Sequence, residues 1–199
     1  MMSPKAVHVL VFDGFADWEP AHAMAELRRW GKRSIRTVGF ERASVTSMGG
    51  LEISPEVELA AVRPDDVELL LLPGGDLWEG DQYPRRQLEE LVAALLAADT
   101  PVAAICGATL ALGRAGVLDD RRHTSNMRTY LPEHADEYRG AEHYVDALAV
   151  SDRRVITASG LGNVDFARAI FAELEVFSAA DEELWYNMFK HGRLPEGAG

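Results

Sequence analysis

Short apolar runs alternate along the chain with longer stretches of helical spacing. Residues 6–12, AVHVLVF, are a β-branched run closed by Asp-Gly-Phe, the pattern of a buried strand. Residues 18–31, WEPAHAMAELRRWG, are rich in helix formers, with Pro20 suited to a first turn and Gly31 to a C-terminal cap. A second strand is predicted over 34–40, and a hairpin over 44–59 turning at Gly49-Gly50. The run VELLLLPGG, 67–75, is a fully apolar strand ending in Pro-Gly-Gly. Apolar positions recur at helical spacing over 87–99. A strand over 101–106 and a helix over 108–116 follow. Residues 143–160 read as a hairpin turning near 151–153, and 164–177 and 181–192 as helices. The closing LPEGAG, 194–199, predicts a frayed end.

Strand–helix alternation with near-continuous apolar strands predicts an α/β fold, a parallel sheet covered on both faces. The 199 residues, 47% hydrophobic, suffice for one sizeable core. No repeat, low-complexity segment or linker interrupts them, so a single domain is expected over 1–199. The formal net charge of −12 argues against nucleic acid and anionic membranes as partners. No apolar run approaches the roughly 20 residues that span a bilayer. The N-terminal run lacks a small-residue cleavage site and reads as a strand rather than a signal peptide. One cysteine cannot form an internal disulfide, which points to a reducing cytoplasm.

Open α/β sheets gather their chemistry at the carboxyl ends of the strands. The segments there are DGFADWE, PGG, Cys106 and GLGN. They bring Glu19, the amides of Gly74 and Gly75, and the Cys106 thiol to one rim. A thiol at a strand-to-helix corner faces the positive end of a helix dipole, which lowers its pKa below the ordinary value of about 8.5. Gly107 lets the chain turn and leaves its N–H open. The backbone N–H groups of Gly74, Gly75 and Gly107 are candidates for an oxyanion hole. One cysteine and scattered histidines offer no metal-ligand spacing, and no cofactor is expected.

The stretches LLLPGG, AAICGA, WEP and VITASGLGNVDFA resemble the ThiJ/PfpI superfamily, which includes the protein deglycases and the class I glutamine amidotransferase-like domains. The resemblance runs from residue 7 to about residue 177. It implies a flavodoxin-like three-layer sandwich with a mainly parallel central sheet, a nucleophilic cysteine and a homodimer. It also implies that the carboxylic acid at Glu19 hydrogen-bonds Cys106. The sequence departs from the family in its histidines. PfpI-type proteases carry histidine directly after the nucleophile, where Gly107 stands here. The histidine that many relatives supply from a later strand falls on Asn126, within RRHTSN. His123 lies three residues earlier, so in a strand the two side chains point to opposite faces. Asn126, His123 and His22 are the candidates for a third member of the site.

The expected activity is attack of the Cys106 thiolate on a small electrophilic carbonyl, an α-oxoaldehyde, a glycated adduct or an amide. Glu19 moves the proton and the glycine amides hold the oxyanion. The alternatives are a redox or stress-response protein working through oxidation of Cys106, and an intracellular peptidase or amidase. The peptidase is disfavoured because no histidine is placed to protonate an amine leaving group.

Overall fold

A computed structural model describes residues 5–195; the last four residues of the expected frayed end, 196–199, lie outside the described residues. Seven strands form the main sheet: β1 (Ala6–Val11), β2 (Ile35–Gly39), β5 (Val57–Glu58), β6 (Val67–Leu72), β7 (Val102–Ile105), β8 (Ala149–Asp152) and β9 (Val155–Ala158). Their order is β5-β2-β1-β6-β7-β9-β8. All neighbours pair in parallel except the β8–β9 hairpin at one edge. The central strands are apolar on both faces because both are covered. In β7, Val102 and Ala104 point into one core while Ala103 and Ile105 point into the other.

Helices form the outer layers. On one face lie α1 (Trp18–Arg29), α5 (Asn163–Glu173) and α6 (Ala179–His191), packed through Ala23, Leu27, Phe166, Ile170 and Trp185. On the other lie α2 (Arg85–Ala97), α3 (Thr109–Arg114) and α4 (Tyr130–His134), packed through Leu88, Leu95, Leu110 and Leu131. This is the three-layer α/β sandwich expected from the alternation.

Three local expectations are corrected. The predicted 44–59 hairpin splits. Only β3 (Val45–Thr46) and β4 (Glu52–Ile53) pair with each other, while β5 joins β2 in the main sheet. The chain bends at Glu56, just after Pro55, whose ring and the Glu41 carbonyl crowd Gly39 and leave no room for a side chain there. The helix expected over 108–116 is a 3₁₀ turn over Cys106–Ala108 followed by the six residues of α3. The hairpin expected from residue 143 begins only at Ala149, because residues 143–145 cross over to contact His123 instead. Among the described residues, no helix is long and apolar enough to cross a membrane.

Candidate active site

Four adjacent strands, β1, β6, β7 and β9, end at the same edge of the sheet. The segments that follow them carry Glu19, in the first turn of α1, and Gly74, Cys106 and Gly160, so the strand order itself brings these residues together. Cys106 adopts a left-handed backbone with φ of 59°. That conformation costs a non-glycine residue on the order of 1–3 kcal/mol and is retained where the surroundings enforce it. Here the Thr109 hydroxyl donates to the Cys106 carbonyl at 2.6 Å and sits 2.7 Å from Ser125 Oγ.

The thiol is half-buried and meets two polar side chains. Asn126 Nδ2 donates to the Cys106 sulfur at 3.4 Å, and its Oδ1 accepts from Gly160 N at 3.0 Å. The amide is thus oriented by the backbone of the loop after β9. On the other side stands Glu19, only 1% exposed, its Oε1 and the sulfur both beside Gly160, 3.3 Å and 3.0 Å from where a Cβ there would lie. Its Oε2 accepts from Gly74 N at 2.5 Å. The two close-packed glycines explain why no side chain is tolerated around the pair. A Cβ on Gly74 would lie 2.7 Å from both Cys106 Cβ and Glu19 Oε2, and one on Gly160 would lie 3.0 Å from the sulfur.

Burial raises the Glu19 carboxyl to about 7, against the pull of the Gly74 N–H and the thiol, which favour its charged form. Burial also pushes the Cys106 thiol up to about 11, and the negative charge of Glu19 adds to the rise. The Asn126 amide and the Gly107 N–H oppose it. This corrects the expectation of a thiol acidified by a helix dipole. The elbow leads into a 3₁₀ turn and a helix of six residues, too short to outweigh desolvation and a neighbouring carboxylate. The two groups form a pair that loses its first proton near neutrality and holds its second far above it.

The remaining candidates fall differently. Gly74 N–H is occupied by Glu19, so it is not free to hold an oxyanion. Gly75 N–H has no intramolecular partner among the described residues, and Gly107 N–H lies close enough to the sulfur to favour its thiolate form. His123 is fully buried; the strand expected through 121–126 is only an isolated bridge from His123 to Tyr144, and the ring is held in the core rather than at the thiol. Its Nδ1 lies 2.8 Å from the Arg121 carbonyl and its Nε2 2.7 Å from the Tyr138 hydroxyl. A carbonyl only accepts, so Nδ1 carries the proton and Nε2 accepts from Tyr138. Burial lowers the His123 pKa, consistent with a neutral, structural ring. His22 packs edge-on against Trp185 and Phe189 of α6, away from the thiol. Sequence reasoning placed the GLGN segment, which begins at Gly160, on the rim without giving it a role, and did not single out Thr109 or Ser125. Gly160 alone left a signal, as the glycine following a predicted strand.

Comparison with known proteins shows the family. The family model described as DJ-1/PfpI matches residues 5–173. A Bacillus subtilis protein named uncharacterized protease YoaZ is 35% identical over 196 residues, which span 95% of this chain and 92% of that protein. A protein named deglycase TK1284, from Thermococcus kodakarensis, is 29% identical over 149 residues, 74% of this chain and 89% of its own. The crystal structure of the DJ-1 superfamily protein Atu0886 from Agrobacterium tumefaciens superposes with a TM-score of 0.87 at 36% identity, covering 95% of this chain and 100% of that one. On a sheet of this order, with a cysteine at this elbow and these sequence matches, the chain belongs to the DJ-1/PfpI family.

Proposed function

We propose that the protein is a cysteine-dependent, hydrolase-like enzyme that acts on a small 2-oxoaldehyde. The observation that carries this reading is the Glu19–Cys106–Asn126 cluster: a strained elbow thiol with a carboxyl group of pKa about 7 as its proton partner and no histidine in contact. A general base works best with a pKa near the operating pH, which is what Glu19 offers. The names protease and deglycase borne by relatives fit a cysteine hydrolase of this kind without deciding the substrate.

In the proposed reaction Glu19 takes the thiol proton as the sulfur adds to the aldehyde carbon. A carbon–sulfur bond forms and the carbonyl π pair moves to oxygen, facing the N–H groups of Gly75 and Gly107. Glu19 returns its proton to that oxygen, giving a hemithioacetal. It then removes the proton on the former aldehyde carbon and delivers it to the adjacent carbon, while the hemithioacetal hydroxyl gives its proton to the adjacent oxygen, so that the first carbon becomes a thioester carbonyl and the second carries a hydroxyl. One carbon is oxidised and its neighbour reduced, so no external redox partner enters. Water cleaves the resulting thioester, the carbon–sulfur bond breaks, and the thiol is restored beside a 2-hydroxy acid.

Peptide hydrolysis would need an acid placed to protonate the departing amine, and the side chains beside the sulfur are Glu19 and Asn126 rather than a histidine. Purified protein assayed on methylglyoxal and casein side by side is expected to turn over methylglyoxal and to lose that activity in Cys106→Ala. Cys106-dependent casein cleavage without methylglyoxal turnover would overturn the proposal. A second reading is favoured by the two N–H donors close to the sulfur, from Asn126 and Gly107, which suit the oxygens of an oxidised thiol. Peroxide would serve as the oxidant, with mass spectrometry of Cys106 as the readout.

A further inference from the structure

At the far end of α1 from the candidate active site, α1, α6 and the segment between α5 and α6 enclose a groove of about 470 Å³. Its walls are aromatic: Trp30, Phe177, Trp185 and Phe189. Trp30 and Phe189 are 56% and 44% exposed, unusual values for side chains this large, so the groove opens to solvent. Trp185 and Phe189 stack at 4.9 Å, giving one wall a continuous π face.

Two polar groups in this lining stand unpartnered. Glu26 is 5% exposed, and its Oε2 is buried without a hydrogen-bond partner. Among the described residues its carboxyl group joins no ion pair. Trp185 is 6% exposed, and its indole N–H is likewise buried and unpaired. Each such group costs on the order of 1–3 kcal/mol, more when it carries charge. The Glu26 oxygen, an acceptor in the wall of an open groove, marks a place where stability is given up for a donor that arrives from outside. The charged side chains lining the groove are Glu26, Asp181 and Arg29. Arg29 lies over the Trp30 ring at 5.3 Å, so these aromatic faces already hold a cation. Asp181 accepts from Ser178 at the helix start. Glu26 is therefore the carboxyl group left without an intramolecular donor.

We propose that this groove binds a small hydrophobic amine. Its aryl or alkyl body lies against Trp30, Phe177 and Phe189, and its ammonium group donates to Glu26. An apolar cation matches an aromatic wall with a buried carboxyl acceptor; an alcohol or a carboxylate could reach the Trp185 N–H instead, which is why both serve as comparison probes. The site is separate from the thiol. Glu19 and Glu26 are seven residues apart on one helix, about 10 Å along its axis.

The test is an amide-shift titration of uniformly ¹⁵N-labelled protein by NMR with three probes of one shape: 2-phenylethylamine, 2-phenylethanol and 3-phenylpropionate. The amine is expected to give saturable shifts confined to the C-terminal half of α1 and to α6, with an affinity at least about tenfold above the other two, the scale of one charge-assisted hydrogen bond. Glu26→Gln should erase that preference, leave the alcohol unaffected and raise the thermal midpoint of the ligand-free protein. Should that variant not fold, the amine-to-alcohol ratio of the natural sequence decides alone. Equal binding of the three probes, shifts elsewhere, or no shifts would overturn the proposal. So would groove amides that shift on dilution without any probe, which would show a second copy of the chain seated there.

Discussion

At the residue scale the site turns on Glu19 and what its burial does. Its carboxyl group is held at about 7 against an ordinary 4.5, so the folded state favours the protonated acid. The stability this gives is fully present below about 4.5 and is lost as pH rises through about 7. The shift corresponds to about 3 kcal/mol. Glu19→Gln, which cannot ionise and whose carbonyl can still accept from Gly74, is predicted to melt with the natural protein at acid pH. Above pH 7 it should melt several degrees higher, as differential scanning calorimetry would show. Asn126→Ala removes a donor from the sulfur and an acceptor from Gly160. It is predicted to lower kcat/KM for methylglyoxal about tenfold or more, the scale of one lost preorganised donor, in steady-state assays. Cys106 and Gly107 were legible in the sequence because an apolar run, a cysteine and a glycine make an elbow, and Glu19 because it follows the first strand to the same rim, its pairing with Cys106 coming from the family resemblance. The capture of Gly74 N–H by Glu19 was not legible, since it depends on how closely the β1 and β6 loops approach each other.

Elements extend the argument from the pair to its frame. Trp78, fully buried in a 3₁₀ turn after the Pro-Gly-Gly loop, donates from Nε1 to the Pro73 carbonyl at 2.8 Å. Arg114, at the end of α3, donates to the carbonyls of Trp78 and Gly80 and to that of His134 in α4. One side chain thus ties the elbow helix to the loop that presents Gly75. Arg114→Lys replaces a planar fork of donors with a single ammonium group. It is predicted to destabilise the protein by about 2 kcal/mol, read as a lower denaturant midpoint at unchanged slope. Long apolar strands such as VELLLL announced themselves. Two-residue β5 did not, because its residues are only half-buried and its partner is decided by the bend at Glu56, just after Pro55. The five residues of α4 likewise carry too little periodicity to read.

For the whole molecule, alternation of strands and helices made the class of fold legible, whereas strand order is a property of long-range pairing. The order places β1, β6, β7 and β9 side by side, and this adjacency turns four separate loops into one site. The homodimer implied by family resemblance is a proposal at this scale. Light scattering at micromolar concentration is expected to give twice the 21.9 kDa chain mass, and a value at the monomer mass would refute it.

The central claim is that Cys106 and Glu19 ionise as a pair, and the pH dependence of Cys106 alkylation by iodoacetamide tests it most directly. The natural protein is predicted to show a rate that rises through about 7 as the pair loses its first proton, and rises again toward about 11 as it loses the second. Glu19→Gln should lack the first rise entirely. A single transition near the ordinary thiol value of about 8.5, the same in both proteins, would contradict the account.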